Sequence, residues 1–300
     1  MIISELIRNN FNIKVKSVDE CETDTLGLAV SNPKMKFTTF VDSAKFLDLV
    51  GEDVNVVITT EEVLKFAENR PFGLCVVDNP RLTFFKLHNS LANNSEYIRK
   101  QYPSKVGKSC SISKTVSIAE NNVVIGNNVR IEENVVIKEN THIGDNSIIR
   151  AGCVIGGEGF EFKRDGDELF RAIHLGGVKI GKHVEVQYNS TIDKAIYPWD
   201  DTVIGDETKI DNLVYVAHAV KLGKRSMITA NCVIGGRVEI GNDAWLGFAA
   251  NVRNGIKIGN NVRLTIGAVV TKSVPDNCAV SGNFAIEHDK FIKKIKKEAK

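Results

Sequence analysis

The chain has 300 residues, 43% of them hydrophobic and 25% charged, which suits one large or two ordinary folded domains and excludes a disordered chain. Basic residues number 39 against 37 acidic ones, and a net charge of +2 gives no global signal for nucleic acid. Six scattered cysteines without a Cys-x-x-Cys pair read as reduced thiols of a cytoplasmic protein, the opening MIISELIRNNFN lacks the basic and apolar regions of a secretion signal, and no apolar run approaches the ~18 residues of a membrane helix.

In chain order, residues 54–59 and 74–78 are predicted strands, and 61–68 and 81–91 are predicted helices. The second helix has a good start in Asp78-Asn79-Pro80, with proline near the first turn. Residues 1–103 therefore read as a small α/β domain. It has no glycine-rich phosphate loop, which argues against a sugar nucleotidyltransferase. Residues 94–108 form a polar connector.

A repeat of six then takes over. Every sixth residue from Ile125 to Ile155 is isoleucine, and a second aliphatic series runs from Ile180 to Val270, broken only at Pro198. Two residues earlier in each hexad sits a smaller side chain, as in Val123, Val129, Val135 and Cys153. Glycine, asparagine or aspartate often follows the large aliphatic, as in Gly126-Asn127-Asn128. An α-helix would scatter positions six apart around its axis. A short strand with two inward residues two apart, followed by a tight corner, fits the period. Stacked coils of this kind make a parallel β-helix with an aliphatic core.

Two interruptions draw attention, because function in repeat folds concentrates where repeats break. Residues 156–179 are too long for a corner and read as an excursion loop, with Gly157, Glu158, Phe160, Phe162 and His174 as candidate substrate contacts. The stretch around Pro198 keeps the six-residue phase, but Tyr197 and Trp199 break the strand pattern. His218 lies two residues past Val216 and four before Leu222, outside both inward sets, which places it on a corner beside Ala217 and Ala219 with room for a substrate. Gly236 stands one eighteen-residue coil further on and is the candidate oxyanion donor. Asp193, Asp211 and Asn212 are candidates for orienting substrate or base, with turn formation an open alternative for the two aspartates. His183 is expected in an exposed corner. The tail, 286–300, is predicted to be a basic helix with Phe291, Ile292 and Ile295 on one side. It either caps the open end of the solenoid or docks an acidic carrier or CoA phosphates.

The segments IGGEGFEF (155–162), STIDKA (190–195) and DDTVIGDETKIDNLVYVAH (200–218), with the weaker GLCVVDNPRLTFFKL (73–87), resemble the UDP-3-O-acylglucosamine N-acyltransferases among the hexapeptide-repeat acyltransferases. The resemblance implies a left-handed β-helix over 104–285, a homotrimer, and transfer of an acyl group from acyl-CoA or acyl carrier protein to the amine of a nucleotide-linked amino sugar. It implies no tightly bound cofactor and no metal. It implies that His218 is the general base, which suits the chemistry, since an amine must shed a proton as it is acylated. The family's uracil contacts fall on Phe40, Ser43 and Phe46.

The departures leave two enzyme readings. Ala219 stands where the family usually has asparagine, Lys194 where it has arginine, and Arg253-Asn254-Gly255-Ile256 lacks a second histidine. Two polar groups of the uracil-contacting set are absent, and 267–285 looks more like the close of short-chain acetyltransferases. One reading is the lipid A enzyme. The other, preferred on these departures, is a paralogue acylating a different nucleotide amino sugar for surface polysaccharide. A γ-type carbonic anhydrase needs three histidines from adjacent coils, and only His142, His183 and His218 lie in regular hexads. A non-catalytic solenoid is the remaining alternative.

Overall fold

A computed structural model of the chain describes residues 1–67, 70–282 and 285–298. Glu68, the last residue of the predicted helix 61–68, lies outside them, as do 283–284, 299–300 and the Ile295 side chain. The chain divides into two compact units. Unit 1 comprises Met1–Pro103, Glu158–Gly177 and Lys194–Asp201; unit 2 comprises Ser104–Gly157, Val178–Asp193 and Thr202–Lys300.

Unit 1 is built on a five-stranded sheet of β1 (Lys16–Val18), β2 (Thr25–Leu26), β3 (Phe37–Phe40), β4 (Val54–Thr59) and β5 (Gly73–Val76), in the order β1-β5-β4-β3-β2. Only β1 runs antiparallel to its neighbour. The central strand VNVVIT is buried on both faces, as an apolar parallel strand requires. Val56 and Ile58 pack with α1 (Ile3–Asn10) and α3 (Pro80–Ser90), whereas Val57 packs with Phe37, Leu47 and Val63 on the opposite side. On that side lies α2, which is short, Glu61–Leu64, and capped by the Thr60 hydroxyl. Asn79 caps α3 by accepting the Leu82 N–H at 3.1 Å, with Pro80 in the first turn.

Both excursions belong to unit 1. The first contains a hairpin, Phe162–Asp165 with Glu168–Arg171. Ala172, Ile196 and Tyr197 join the same core as Phe84, Phe85 and Leu87. Trp199 stacks on Tyr197 at 5.7 Å and donates its Nε1–H to the Leu26 carbonyl at 2.8 Å. Arg99 donates to the Pro198 and Asp200 carbonyls and to Asp201 Oδ1, each at 2.7 Å.

Unit 2 is the repeat. Its strands form three all-parallel sheets of nine, eight and eight strands, each coil adding one strand to each sheet. Met227 pairs with Trp245, Val233 with Asn251 and Glu239 with Lys257, so one coil is eighteen residues. The large aliphatics of the hexads fill the interior, from Ile125 and Ile131 through Ile234 to Leu264. Corner residues such as Asn128, Asn134, Asn146 and Asp243 have φ between 56° and 59°, a left-handed region that asparagine and aspartate tolerate. Their neighbours stack as well: Asn242 Oδ1 accepts the Lys224 N–H, and Asn260 Oδ1 accepts the Asn242 N–H one coil later.

The second interruption explains why the hexad phase survives Pro198. Thr191 pairs with Tyr215, twenty-four residues on, so the excursion adds one whole hexad to a coil. Pro198 is therefore not a core position. After the last coils comes α4 (His288–Glu298), and none of its described side chains is buried; Phe291 is 47% exposed. No described helix is long and apolar enough to cross a membrane.

Candidate active site

One corner of unit 2 collects most of the candidate residues that lie in the repeat. Gly157 is in register with Asp193, across a bulge at Gly156, whose φ is +80°. The strand pairing of Thr191 with Tyr215 and Ile192 with Val216 ends just before Asp193 and Ala217, and the Asp193 carboxyl is near enough to His218 to feel its charge. The next coil, through Val216–Ile234, brings Gly236 level with His218. The order along the corner is Gly157, Asp193, His218, Gly236.

His218 is only 6% exposed, so its ring is buried at the corner and does not stand open on it. Its neighbour on the next coil is Gly236, where an added Cβ would lie 2.6 Å from both Cε1 and Nε2 of the ring. Only a glycine lets the backbone come this close. The Arg237 N–H donates to the His218 carbonyl at 2.9 Å and fixes the spacing of the two coils. Ala219, after the histidine, occupies a left-handed corner at φ +60°. An asparagine there would serve the backbone; alanine does so at the cost of strain.

Asp193 is 3% exposed and its Oδ2 accepts a 2.6 Å hydrogen bond from the Tyr215 hydroxyl. Burial pushes its carboxyl up, while Tyr215 and the charge of His218 pull it back. Burial, and then the hydrogen bond to the same carboxylate, hold the Tyr215 phenol well above its ordinary value. Thr202, wholly buried, donates to the Asp193 carbonyl at 2.6 Å and accepts the Ala219 N–H at 2.8 Å. The sequence reading missed both Tyr215 and Thr202. Tyr215 carried a signal: it is an aromatic at an outward strand position three residues before the histidine.

Asp211 and Asn212 have turn roles. Asp211 accepts the Asn212 N–H at 2.7 Å and the Ala230 N–H at 3.1 Å, and Asn212 Oδ1 accepts the Tyr188 N–H at 3.1 Å. His142 is exposed on a strand face, and His183 is exposed in a left-handed corner, as expected. Among the described residues no three His, Cys, Asp or Glu side chains converge on a metal position.

The remaining candidates lie in unit 1. Glu158 pairs with Arg171 and, at 3.8 Å, with Lys194. Phe160 is 83% exposed and its ring lies 4.9 Å from that of Phe162. His174 is buried, not presented on the loop surface. Phe40 packs its ring 5.1 Å from Phe84, whereas Ser43 opens a 3₁₀ turn, 44–49, that leaves Phe46 exposed under the Lys45 ammonium. His88, which the sequence reading left aside, is fully buried between the Tyr97 hydroxyl and the Ile173 carbonyl, each at 2.9 Å.

Residues 122–157 and 201–236 match the family model for bacterial transferase hexapeptide (six repeats). A UDP-3-O-acylglucosamine N-acyltransferase of Delftia acidovorans is 34% identical over 140 residues, 46% of this chain and 41% of that protein. A probable UDP-3-O-acylglucosamine N-acyltransferase 2, mitochondrial, of Arabidopsis thaliana is 37% identical over 150 residues, 49% of this chain and 48% of that one. The matched region thus spans just under half the length of these curated relatives. The UDP-N-acetylglucosamine acyltransferase of Campylobacter jejuni aligns over 64% of this chain and 77% of its own, with a TM-score of 0.53 and 22% identity. The repeat unit is a left-handed parallel β-helix.

Proposed function

We propose that this protein is an N-acyltransferase acting on a nucleotide-linked amino sugar, with His218 as general base. The observation that carries the reading is the seating of His218 on Gly236, in a repeat of transferase hexapeptides. The substrate amine attacks the thioester carbonyl, the C–N bond forms, and the ring accepts the amine proton. Collapse of the tetrahedral intermediate breaks the C–S bond, and the proton passes to the departing thiolate. The Gly236 backbone, one coil from the base, is the assigned source of the oxyanion hydrogen bond.

The names of the curated relatives support UDP-3-O-acylglucosamine as the first acceptor to test. The donor is a thioester of CoA or of acyl carrier protein. In unit 1, Phe40, Ser43 and Phe46 are assigned to the nucleotide, and Glu158, Phe160 and Phe162 to the rest of the acceptor. The working form is a cytoplasmic homotrimer with no resident cofactor.

A second acceptor class is favoured by one observation. Ala219 presents a methyl group beside the base, in a corner where the resembling family usually has an amide. The reading is tested by crossing UDP-, dTDP- and GDP-amino sugars with acyl-CoA and acyl carrier protein donors. Turnover of UDP-3-O-acylglucosamine with 3-hydroxyacyl carrier protein identifies the lipid A reaction. Turnover of another sugar identifies the paralogue. Full activity of His218→Ala sinks both.

A further inference from the structure

Acyl transfer with His218 as base and Gly236 as oxyanion donor leaves the buried acid Asp193 without a role. A carboxyl that is 3% exposed has lost almost all its hydration. Such burial is costly unless the charge is paired and hydrogen-bonded. Here the compensation is specific: the Tyr215 hydroxyl donates to Oδ2, and Oδ1 is turned toward Gly157, where an added Cβ would lie 3.3 Å away. The backbone is fixed as well, because the single Thr202 hydroxyl ties the Asp193 carbonyl to the Ala219 N–H. Two neighbouring coils are thus locked on either side of the histidine. A structural turn needs none of this. Asp211, an aspartate serving a turn nearby, uses both its oxygens on backbone N–H groups.

We propose that Asp193, held by Tyr215 and Thr202, is the positioning residue of the reaction: it orients the His218 ring and stabilises the imidazolium formed when the ring takes the amine proton. This rests on the reading of His218 as the base. The charge appears only after proton transfer, so the interaction favours the transition state over the bound substrates. Tyr215 then has a role at one remove, keeping the carboxylate aimed while its own ring lies outside the reacting groups.

The test uses the full chain with the acceptor and donor that it turns over, and ¹⁵N-histidine-labelled protein whose His218 signals are assigned by His218→Ala. Asp193→Asn keeps the shape and can still accept from Tyr215. It is expected to lower kcat at least about tenfold with KM within about threefold, and to change the His218 ring nitrogen shifts. Tyr215→Phe is expected to lower kcat by a smaller factor of about three to ten and to move the same signals in the same sense. Unfolding melts check that each variant is folded; if Asp193→Asn is not, Tyr215→Phe decides. Unchanged kcat and unchanged ring signals in the folded variants overturn the proposal. An active His218→Ala overturns the reading of the base instead, whereas an inactive His218→Ala with a fully active Asp193→Asn overturns only the role of Asp193.

Discussion

His218 rests its ring edge on Gly236, eighteen residues later in the chain and one coil later in space, with no room for a methyl group between them. A methyl at 236 would meet Cε1 and Nε2 at 2.6 Å, and the ring, not the stacked backbone, is the part that can swing away. Gly236→Ala is therefore expected to displace the base, with a loss of about 10²-fold in kcat for a shift of the order of an ångström. Overpacking should cost about 1–3 kcal/mol of stability. Steady-state kinetics with a denaturant melt separates the two effects. Adding His218→Ala to Gly236→Ala should cost little more than His218→Ala alone, since both remove the same group.

Ala219 supplies a stability prediction with the opposite sign. Its φ of +60° is a conformation that costs an alanine about 1–2 kcal/mol and a glycine nothing. Ala219→Gly should raise the stability of unit 2 by about 1 kcal/mol after the entropy of the unfolded glycine is set against the relief. The midpoint of urea unfolding should move up with an unchanged slope. A decrease would mean that the Ala219 methyl group packs usefully beside the base.

How far these features could be read in advance depends on how local their causes are. The hexad was legible because each interior position meets the same surroundings on every coil, so Ile131, Ile149, Val186 and Ile210, stacked in successive coils, answer to one packing requirement. The six-residue excursion was legible only as a break in composition, because a whole inserted hexad leaves the phase intact. In unit 1, α1 and β1 to β3 escaped the reading because they are short, and their apolar residues, such as Ile3 and Ile7, are sparse. His218 stood out against its repeat and Asp193 was a candidate for orienting it, but the tyrosine's hold on that acid was not legible. Asp193 and Tyr215 lie twenty-two residues apart and meet only because one coil carries an excursion. His88 was invisible for the same reason, since its carbonyl partner is 85 residues away.

That histidine makes stability depend on pH. A carbonyl can only accept, so Nε2 carries the proton toward Ile173 and Nδ1 accepts from the Tyr97 hydroxyl. The ring is thus held neutral, and burial lowers its pKa from the ordinary 6.5 to about 4, against a small opposing pull from the Ile173 carbonyl. The unfolded chain takes up this proton below 6.5 and the native chain only near 4, so the unfolded state binds more protons in between. Stability should be unaffected by His88 above pH 6.5 and fall as the pH drops toward 4, by on the order of 3 kcal/mol in all. Urea melts across this range, compared with His88→Gln, check it: the variant should lose most of the slope.

The two excursions make the last prediction, which concerns folding. Residues 1–103 contain a complete sheet, yet their core is finished by Ala172, Ile196 and Tyr197. Leu26, His88, Asn89 and Arg99 find polar partners in the same two segments, at 2.7 to 3.0 Å. A fragment of residues 1–103 would expose that face and leave His88 and Arg99 without these acceptors, which is the condition under which buried polar groups are most costly. It should show no cooperative unfolding transition by circular dichroism. In the intact chain Tyr197→Ala removes an aromatic that is 4% exposed and should destabilise unit 1 by about 3–5 kcal/mol. Hydrogen exchange locates the effect: amides of β3, β4 and α3 should lose protection together while those of the hexad strands keep theirs. Equal loss in both units would show that they unfold as one.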